Sequence, residues 1–354
     1  MKTLWLLAIP TWLLADVSPR GSMLSTHSAS EGIVRLQDGR LVVAGGNTGA
    51  GLSASAEIFD PRTRRWTEAP GLVSGRYYHA VALLRTGDLL VIGGYAKKHD
   101  ASCGLLDPKT AAWTPTGAMS TPRAGHAAVT LLDGRVLVWG GYDGAGYPNS
   151  TEIYDPATRA WKDGPPSEVS HTQGTAALLP GGRVLAAGGN SNAGAGNTAE
   201  VFDPRANSWT KAAPMKFGRY LQAHASLPDG RVFVSGGHGA QASVEIFDSR
   251  ANAWTEGPSL NRGRQNHAMV ALPGGAIAAI GGTGAETSIE IYEPARRAWR
   301  QGADMPRARA VPLAALLPDG RILVTGSAPE TDFYDLKRDR WEPGPQASAG
   351  RAIR

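Results

Sequence analysis

The sequence has almost no cysteine, no long run of like charges and no apolar stripe of helical period. Its single cysteine, Cys103, excludes an intramolecular disulfide, so stability must come from a packed core. The net charge is +5, and no stretch holds about five or more like charges in a row. We therefore expect neither a polybasic tail nor a nucleic-acid partner.

The N-terminus, MKTLWLLAIPTWLLA, places one Lys before a short apolar stretch that is broken by Pro10 and ends at Ala15. This order is typical of a secretory signal, and the apolar stretch is too short for a membrane span. We expect residues 1–22 to be a leader, followed by one domain over 23–354 in a secreted or periplasmic protein. No cysteine follows the stretch to carry a lipid.

Glycine and proline are abundant, with 45 and 24 residues spread along the whole chain, which indicates many turns. Paired glycines recur after apolar stretches, and Gly326-Ser327 is a degenerate seventh pair. The six full pairs are Gly45-Gly46, Gly93-Gly94, Gly140-Gly141, Gly188-Gly189, Gly236-Gly237 and Gly281-Gly282. Successive first glycines lie 48, 47, 48, 48, 45 and 45 residues apart, a period typical of a four-stranded propeller blade.

Each unit repeats the same parts. An Asp-Gly turn recurs before the apolar strand, an aromatic residue followed by an acid comes after the glycines, and a Trp stands six residues beyond the acid. The tryptophans are Trp66, Trp113, Trp161, Trp209, Trp254, Trp299 and Trp341. Because a residue repeated in every unit cannot mark one asymmetric site, we interpret the Trp as packing between blades and the acid as capping a turn.

The order GG, then Tyr/Phe-Asp, then Trp resembles the kelch repeat, and the resemblance covers about residues 24–345. It implies an all-β, seven-bladed β-propeller of kelch type, with four antiparallel strands per blade around a central channel. Blade 1 is expected to take its inner strand from the N-terminal side, near Glu31 to Leu36. Arg351 lies in register with the start of an eighth inner strand, so the tail is expected to add at most a brief contact.

The residues that open the inner strands and those just past the glycines are expected at the same end of the ring, because strands alternate in direction. The opening residues are Arg76, Arg123, His171, Arg219, Arg264 and Arg309, with Tyr78 two residues after Arg76. The residues past the glycines are Asn47, Tyr95, Tyr142, Asn190, His238 and Thr283. In animal kelch adaptor proteins these positions hold peptides, so the resemblance implies an arginine-lined mouth for an anionic ligand. Alternatively, each Arg pairs with a carboxylate or carbonyl of a neighbouring blade.

The histidines give little support to a metal site. His79, His126 and His267 share one repeat position, which favours packing or hydrogen bonding between blades over metal ligation. His171, His224 and His238 do not share a repeat position with another histidine, and the sequence contains no His-x-His pair. We predict no metal and no cofactor.

Two enzymatic relatives of the kelch propeller indicate which residues catalysis would require. Galactose oxidase needs a Cys cross-linked to a Tyr. Tyr78 lies near that Tyr position, but Ser30 stands where the Cys is needed, and Cys103 lies on a third strand. A copper-independent sugar mutarotase stays conceivable, with Glu31 as the carboxylate to test. Nucleophile elbows and phosphate-binding loops are absent.

These features favour an extracytoplasmic interaction module that binds an anionic or polar ligand, an acidic peptide or glycan, at the channel mouth. The alternative is a copper-independent carbohydrate-active propeller enzyme. A third hypothesis, a purely structural surface protein, predicts no defined pocket at the mouth. We expect a monomer.

Overall fold

The structure is a computed structural model that describes residues 32–48, 51–326 and 330–344. The predicted leader, Ser30, Glu31, Ser327 and Arg351 lie outside the described residues. No helix among the residues that are described is long and apolar enough to cross a membrane.

Seven four-stranded antiparallel sheets follow one another along the chain, and each blade is contiguous in sequence. Blade 1 has β1 (Val34–Arg35), β2 (Leu41–Ala44), β5 (Ala56–Asp60) and β6 (Arg65–Ala69). Blade 2 has β7 (Ala80–Leu83), β8 (Leu89–Tyr95), β9 (His99–Asp107) and β10 (Ala112–Thr116). Blade 3 has β11 (Ala127–Thr130), β12 (Val136–Trp139), β13 (Thr151–Asp155) and β14 (Ala160–Gly164). Blade 4 has β15 (Thr175–Leu178), β16 (Val184–Ala187), β19 (Ala199–Asp203) and β20 (Ser208–Ala212).

Blades 5 to 7 repeat this order. Blade 5 has β21 (Ala223–Ser226), β22 (Arg231–Ser235), β23 (Val244–Asp248) and β24 (Ala253–Glu256). Blade 6 has β25 (Ala268–Ala271), β26 (Ile277–Ile280), β27 (Ile289–Glu293) and β28 (Ala298–Gln301). Blade 7 has β29 (Leu313–Leu316), β30 (Ile322–Thr325), β31 (Asp332–Asp335) and β32 (Arg340–Pro343). Two small hairpins, β3 (Asn47–Thr48) with β4 (Gly51–Leu52) and β17 (Asn190–Ser191) with β18 (Gly194–Ala195), stand in the loops of blades 1 and 4.

Within a blade the strands are called A to D from the channel outwards. Tight turns join A to B and C to D at one end, the bottom face. Asp133 caps the A–B turn of blade 3 by accepting the backbone N–H of Arg135 at 3.0 Å, and Gly134 has a φ of 94° that suits this turn. Blades 4 and 6 replace the turn with the 3₁₀ turns Pro180–Gly182 and Pro273–Gly275. The predicted propeller is therefore confirmed.

Each tryptophan on strand D fastens its blade to the preceding one. Five of the indole N–H groups donate to a carbonyl oxygen in the linker that leaves the preceding blade, as Trp161 does to Gly117 at 2.8 Å. Trp209 and Trp66 donate instead to hydroxyls on or beside strand C of that blade, those of Thr151 and Thr331. The packing role predicted for the tryptophans is confirmed, and a directed hydrogen bond is added to it.

The ring closes between blades 7 and 1. Ile33, Phe59 and Trp66 of blade 1 share one buried cluster with Leu313 and Phe333 of blade 7. The Trp66 indole donates to the Thr331 hydroxyl at 3.0 Å across the same seam. Because β1 pairs with β2, blade 1 takes its inner strand from the N-terminal side, as expected. The seam is closed by packed side chains among the described residues.

The acids that precede the C–D turns cap them. Asp60 accepts the backbone N–H of Arg62 at 2.8 Å, and Asp107, Asp155, Asp203, Asp248 and Asp335 do the same with the residue two positions on. Glu293, which is one methylene longer, instead pairs with the side chains of Arg296 and Arg300. The predicted capping of the turns is therefore confirmed for the six aspartates, and Glu293 departs from it.

Candidate functional site

The B–C loops and the D–A linkers meet at the second end of the ring, the top face. In five blades the residue after the opening Arg or His forms a single antiparallel bridge with the residue after the paired glycines. These bridges are Tyr77–Tyr95, Ala124–Tyr142, Thr172–Asn190, Tyr220–His238 and Gln265–Thr283. The two predicted sets of residues therefore do belong to the same end.

A belt of backbone hydrogen bonds runs around the mouth from blade 2 to blade 6. The residue two positions after each of these opening residues has a left-handed backbone. From blade 3 to blade 6, its N–H donates to the carbonyl oxygen of the equivalent residue in the preceding blade. The belt residues are Tyr78, Gly125, Gln173, Leu221 and Asn266, joined at 2.8, 3.1, 3.1 and 2.9 Å. These bonds fix the spacing of the inner loops around the channel.

The opening arginines lie inside their blades. Arg123 donates from Nη1 to the carbonyl oxygen of Gly140 at 2.9 Å and from Nη2 to Glu152 Oε1 at 3.2 Å. This set of opening residue, first-glycine carbonyl and strand-C acid is here called the blade clamp. The equivalent clamps join Arg219 to Gly236 and Glu245, Arg264 to Gly281 and Glu290, and Arg309 to Gly326 and Asp332. All four arginines are 0% exposed.

The clamp carboxylate also holds the linker that enters the blade. Glu290 accepts the backbone N–H groups of Asn261 at 2.6 Å and Arg262 at 3.1 Å. Glu152, Glu200 and Glu245 each accept two linker N–H groups in the same way. Burial lowers the pKa of Arg264, and the Glu290 carboxylate opposes that shift. Each of these clamps is therefore a buried ion pair in which the two Nη groups of the arginine are hydrogen-bonded, while its buried Nε has no hydrogen-bond acceptor among the described residues.

Blade 2 departs from this plan because Gly104 occupies the position of the clamp glutamate. Arg76 instead donates to the carbonyl oxygens of Gly93 at 2.8 Å and Ser102 at 3.1 Å, and its Nη2 lies 3.2 Å from Asp100 Oδ2. Arg76 is 5% exposed. Its charge is thus satisfied in the B–C loop of its own blade.

These contacts decide between the two interpretations of the opening arginines. Arg76, Arg123, Arg219, Arg264 and Arg309 pair with carbonyls and carboxylates, as the second interpretation held. One correction applies, because the partners belong to the same blade as the arginine. The paired glycine lies in or directly after strand B of that blade, and the acid lies on its strand C. Since a buried guanidinium needs these partners, the arginines do not line the mouth.

His171 replaces the clamp arginine in blade 4. Its Nδ1 lies 2.7 Å from the Gly188 carbonyl oxygen, and its Nε2 lies 3.0 Å from Glu200 Oε2. Both partners are acceptors, so the doubly protonated ring satisfies both. Burial disfavours ionisation of Glu200, but the hydrogen bonds from His171 and from the Glu168 N–H outweigh it and lower the pKa of Glu200. Among the described clamps, blade 4 is the one in which a histidine takes the place of the arginine.

We expect the His171→Arg variant to be about 1–2 kcal/mol more stable than the native protein, because a guanidinium, as in the other clamps, carries separate donors for the Gly188 carbonyl oxygen and for Glu200. Glu200 has a lowered pKa, so its contribution is lost only below its ordinary value of 4.5. Urea unfolding at several pH values measures the difference.

The reciprocal variant, Arg219→His, removes guanidinium donors from the clamp of blade 5 and is expected to lower the stability of the protein. A His171→Arg variant that is less stable than the native protein would contradict the assignment.

Aromatic side chains form a continuous arc on the top face of blades 2 and 3. Neighbouring ring centroids lie 4.6 to 5.5 Å apart. In spatial order this aromatic arc comprises Tyr78, Tyr77, Tyr95, His99, Tyr142 and Tyr147. All six rings are half-buried, so each is supported by its neighbours while part of it meets solvent. The Asn190 side-chain amide donates to Tyr147 Oη at 3.2 Å and extends the arc to blade 4.

Sequence reasoning found half of this arc. Tyr78, Tyr95 and Tyr142 were predicted, but Tyr77, His99 and Tyr147 were not. His99 begins strand C of blade 2 and Tyr147 stands in the B–C loop of blade 3, and the repeat does not specify the path of the chain at either place. Lys97 and Lys98, both exposed, form the tip of the loop that precedes His99.

The other predicted mouth residues lie apart from the arc. His238 is exposed and stacks on Tyr220 with ring centroids 4.8 Å apart. Thr283 is exposed on blade 6. Asn47 begins the small hairpin of blade 1. The top face is therefore uneven, with its aromatic residues concentrated on one side.

The regular histidines pack between blades, as predicted. A methyl group on Gly45 of blade 1 would lie 2.7 Å from His79 Cε1 of blade 2. His267 Nε2 lies 2.8 Å from Ser235 Oγ of blade 5. Burial, with Arg123 nearby, lowers the pKa of His126 to about 3, so this ring is neutral. Over 32–48, 51–326 and 330–344, no three His, Cys, Asp or Glu side chains are grouped to hold a metal ion.

The fold is similar to a solved fungal alcohol oxidase of the AA5 family in complex with copper. The TM-score is 0.70 at 19% sequence identity, covering 88% of this chain and 73% of that one. At this identity the likeness shows the fold.

The residues of this chain do not fit a copper centre built on a Cys–Tyr cross-link. Cys103 lies on strand C of blade 2, where it pairs with Ile92 and Thr116, and it is buried. Burial raises the pKa of its thiol to about 12. Tyr78 stands on the belt at the mouth, and the sequence has Ser30 where the cross-linking Cys is needed.

The sequence comparisons agree with the repeat. No curated protein matches. The family model of the KLHDC2/KLHL20/DRC7 Kelch-repeats domain matches residues 34–237 and 114–282, which together span more than half of the chain. The chain belongs to the kelch-repeat family.

Proposed function

We propose that this protein is an interaction module that binds an acidic peptide segment of a partner protein at the aromatic arc. Kelch propellers generally serve as protein-interaction modules. The arc is the single observation that carries the proposal, because it is irregular among the blades and lies on the end with the longer loops. The predicted extracytoplasmic location remains part of the proposal.

The arc has the composition of a binding surface. Half-buried tyrosines offer large apolar faces and a polar hydroxyl, and they lose little conformational entropy on binding because neighbouring rings already hold them. Their continuous contacts across blades 2 and 3 suit an extended segment.

The preference for acidic groups comes from the loop of blade 2. Lys97 and Lys98 are exposed at its tip, between Tyr95 and His99. Two ammonium groups beside the arc favour a carboxylate-bearing partner and raise its rate of association. This replaces the clamp arginines as the source of anion selectivity.

The proposal is tested with an array of synthetic peptides graded by net charge, alongside a glycan array. Acidic peptides are expected to be retained, and Tyr95→Ala with Tyr142→Ala is expected to weaken their binding by about 30-fold or more. Raised ionic strength should weaken binding further, since the lysines are exposed.

Tyr220→Ala is the matched control, because it removes a half-buried tyrosine from the same face outside the arc. It should change the affinity by less than about threefold. Retention of glycans alone, or equal losses in both variants, would overturn the peptide assignment. Turnover of a sugar would support the carbohydrate-active alternative, whose expected carboxylate, Glu31, lies outside the described residues.

A further inference from the structure

The bottom face carries the excess positive charge of the molecule. Its seven C–D turns hold twelve basic residues, at least one in every turn, and all twelve are exposed. This basic annulus comprises Arg62, Arg64, Arg65, Lys109, Arg159, Arg205, Arg250, Arg296, Arg297, Lys337, Arg338 and Arg340. Eight of the twelve belong to blades 6, 7 and 1, which are adjacent in the closed ring.

The acids that begin these turns are recessed and already engaged, and one further acid, the exposed Asp339, stands within the turn of blade 7. Each of the seven turns begins with an acid that is half-buried or buried, and six of these are aspartates that accept turn N–H groups. The backbone N–H of Arg62, the largest cause, lowers the pKa of Asp60, and that of Lys109 does the same for Asp107. Arg62, Arg296 and Arg338 each form an ion pair with the acid that begins their own turn. They stay largely in solvent even so, since Arg62 is 78% exposed.

The top face has no such excess. Outside the blade clamps and the Arg76–Asp100 ion pair, its loops and linkers carry five basic residues and five acids. The basic residues are Lys97, Lys98, Lys216, Arg262 and Arg307, and the acids are Asp143, Glu168, Glu286, Asp304 and Glu330. The charge asymmetry thus separates the two ends of the ring.

The shape of the annulus favours a planar partner. All seven C–D turns have the same length, and the A–B turns beside them are tight, so no loop protrudes from this face. A linear polyanion would follow one groove or stripe and leave the other turns unused. A flat anionic surface meets the charges of many turns at once, and each Lys or Arg near such a surface adds to the attraction.

We propose that the bottom face docks on a bilayer containing anionic lipids. Binding is electrostatic and peripheral, because the annulus presents exposed Lys and Arg side chains to the bilayer. The top face then points away from the bilayer, with the aromatic arc open to a soluble partner. This inference is independent of the peptide proposal, since it uses the opposite face.

The test is co-sedimentation of the full chain with vesicles of equimolar phosphatidylglycerol and phosphatidylcholine, and with vesicles of phosphatidylcholine alone. The bottom variant, Arg62→Ala with Arg64→Asn and Arg65→Ser, uses residues that stand at the equivalent positions of other blades, so the turn is kept. It is expected to weaken binding to the anionic vesicles by at least about tenfold, and added salt should do the same.

The matched control removes three exposed charges from the top face: Lys97→Asn, Lys98→Thr and Arg262→Thr. It should bind the anionic vesicles as the native chain does. Any attraction of the apolar N-terminal segment to lipid is common to all three proteins. It would be measured as binding to the vesicles of phosphatidylcholine alone.

Three results would overturn the proposal. They are no preference for anionic vesicles, equal losses in the bottom and top variants, and tighter binding of heparin or duplex DNA than of vesicles, which would assign the annulus to a linear polyanion. Peptide binding at the arc should survive in the bottom variant, so failure of one proposal is distinguishable from failure of the other.

Discussion

Replacing Arg264 with alanine is expected to lower the free energy of unfolding by about 3–5 kcal/mol, because it leaves the Glu290 carboxylate without its buried cation. Both side chains are 0% exposed, and Arg264 also donates to the carbonyl oxygen of Gly281 at 3.0 Å. Since a typical domain has about 5–15 kcal/mol of stability in all, this is a large share. Urea unfolding followed by tryptophan fluorescence measures it.

Arg262→Ala is the control, because this exposed arginine is two residues away and belongs to no clamp. Its effect should stay within about 0.5 kcal/mol. Replacing Arg264 and Glu290 together by leucines is not expected to restore stability, since the N–H groups of Asn261 and Arg262 would lose their acceptor. A loss of less than about 1 kcal/mol in Arg264→Ala would refute the structural role of the clamp.

Replacing Trp66 with alanine is expected to cost about 3–5 kcal/mol, since it opens the seam that closes the ring. Trp66 is 6% exposed, its ring lies 5.1 Å from that of Phe59, and its indole bonds to Thr331 of blade 7. The cavity would adjoin Phe333 and weaken the contact between the first and last blades. Thermal unfolding measures the loss.

Thr331→Val separates the hydrogen bond from the packing at this seam. It removes the hydroxyl acceptor and keeps the volume, so we expect a loss of about 1 kcal/mol. Equal losses in Thr331→Val and Trp66→Ala would show that the hydrogen bond, rather than the buried ring, closes the propeller.

The repeat predicts the fold because its parts report local and regular interactions. The glycine pairs have φ values that favour glycine, and the Trp recurs because every blade meets a neighbour in the same way. The clamp glutamates are equally regular in another way, since Glu152, Glu200, Glu245 and Glu290 each stand three residues before the acid that begins the C–D turn. Without that pattern, the position of the arginines at the start of strand A favours the mouth of the channel.

The aromatic arc could be predicted only in part, because it depends on the path of two loops. In blade 2 strands B and C continue past the glycines as a long hairpin, with a register shift between Ile92 and Gly94. This extension brings His99 between Tyr95 and Tyr142. A repeat pattern specifies where a loop starts and ends, but the contacts at its tip depend on neighbouring blades.

At the channel mouth, main-chain groups hold the belt together, whereas the side chains at its positions differ from blade to blade. Its hydrogen bonds use only main-chain groups, and its positions already hold Tyr78, Gln173, Leu221 and Asn266 on the same frame. A substitution at one of these positions changes one point on the rim and leaves the next blade's link in place. Such a frame lets specificity diverge one blade at a time during evolution, with no need to redesign the ring that presents it.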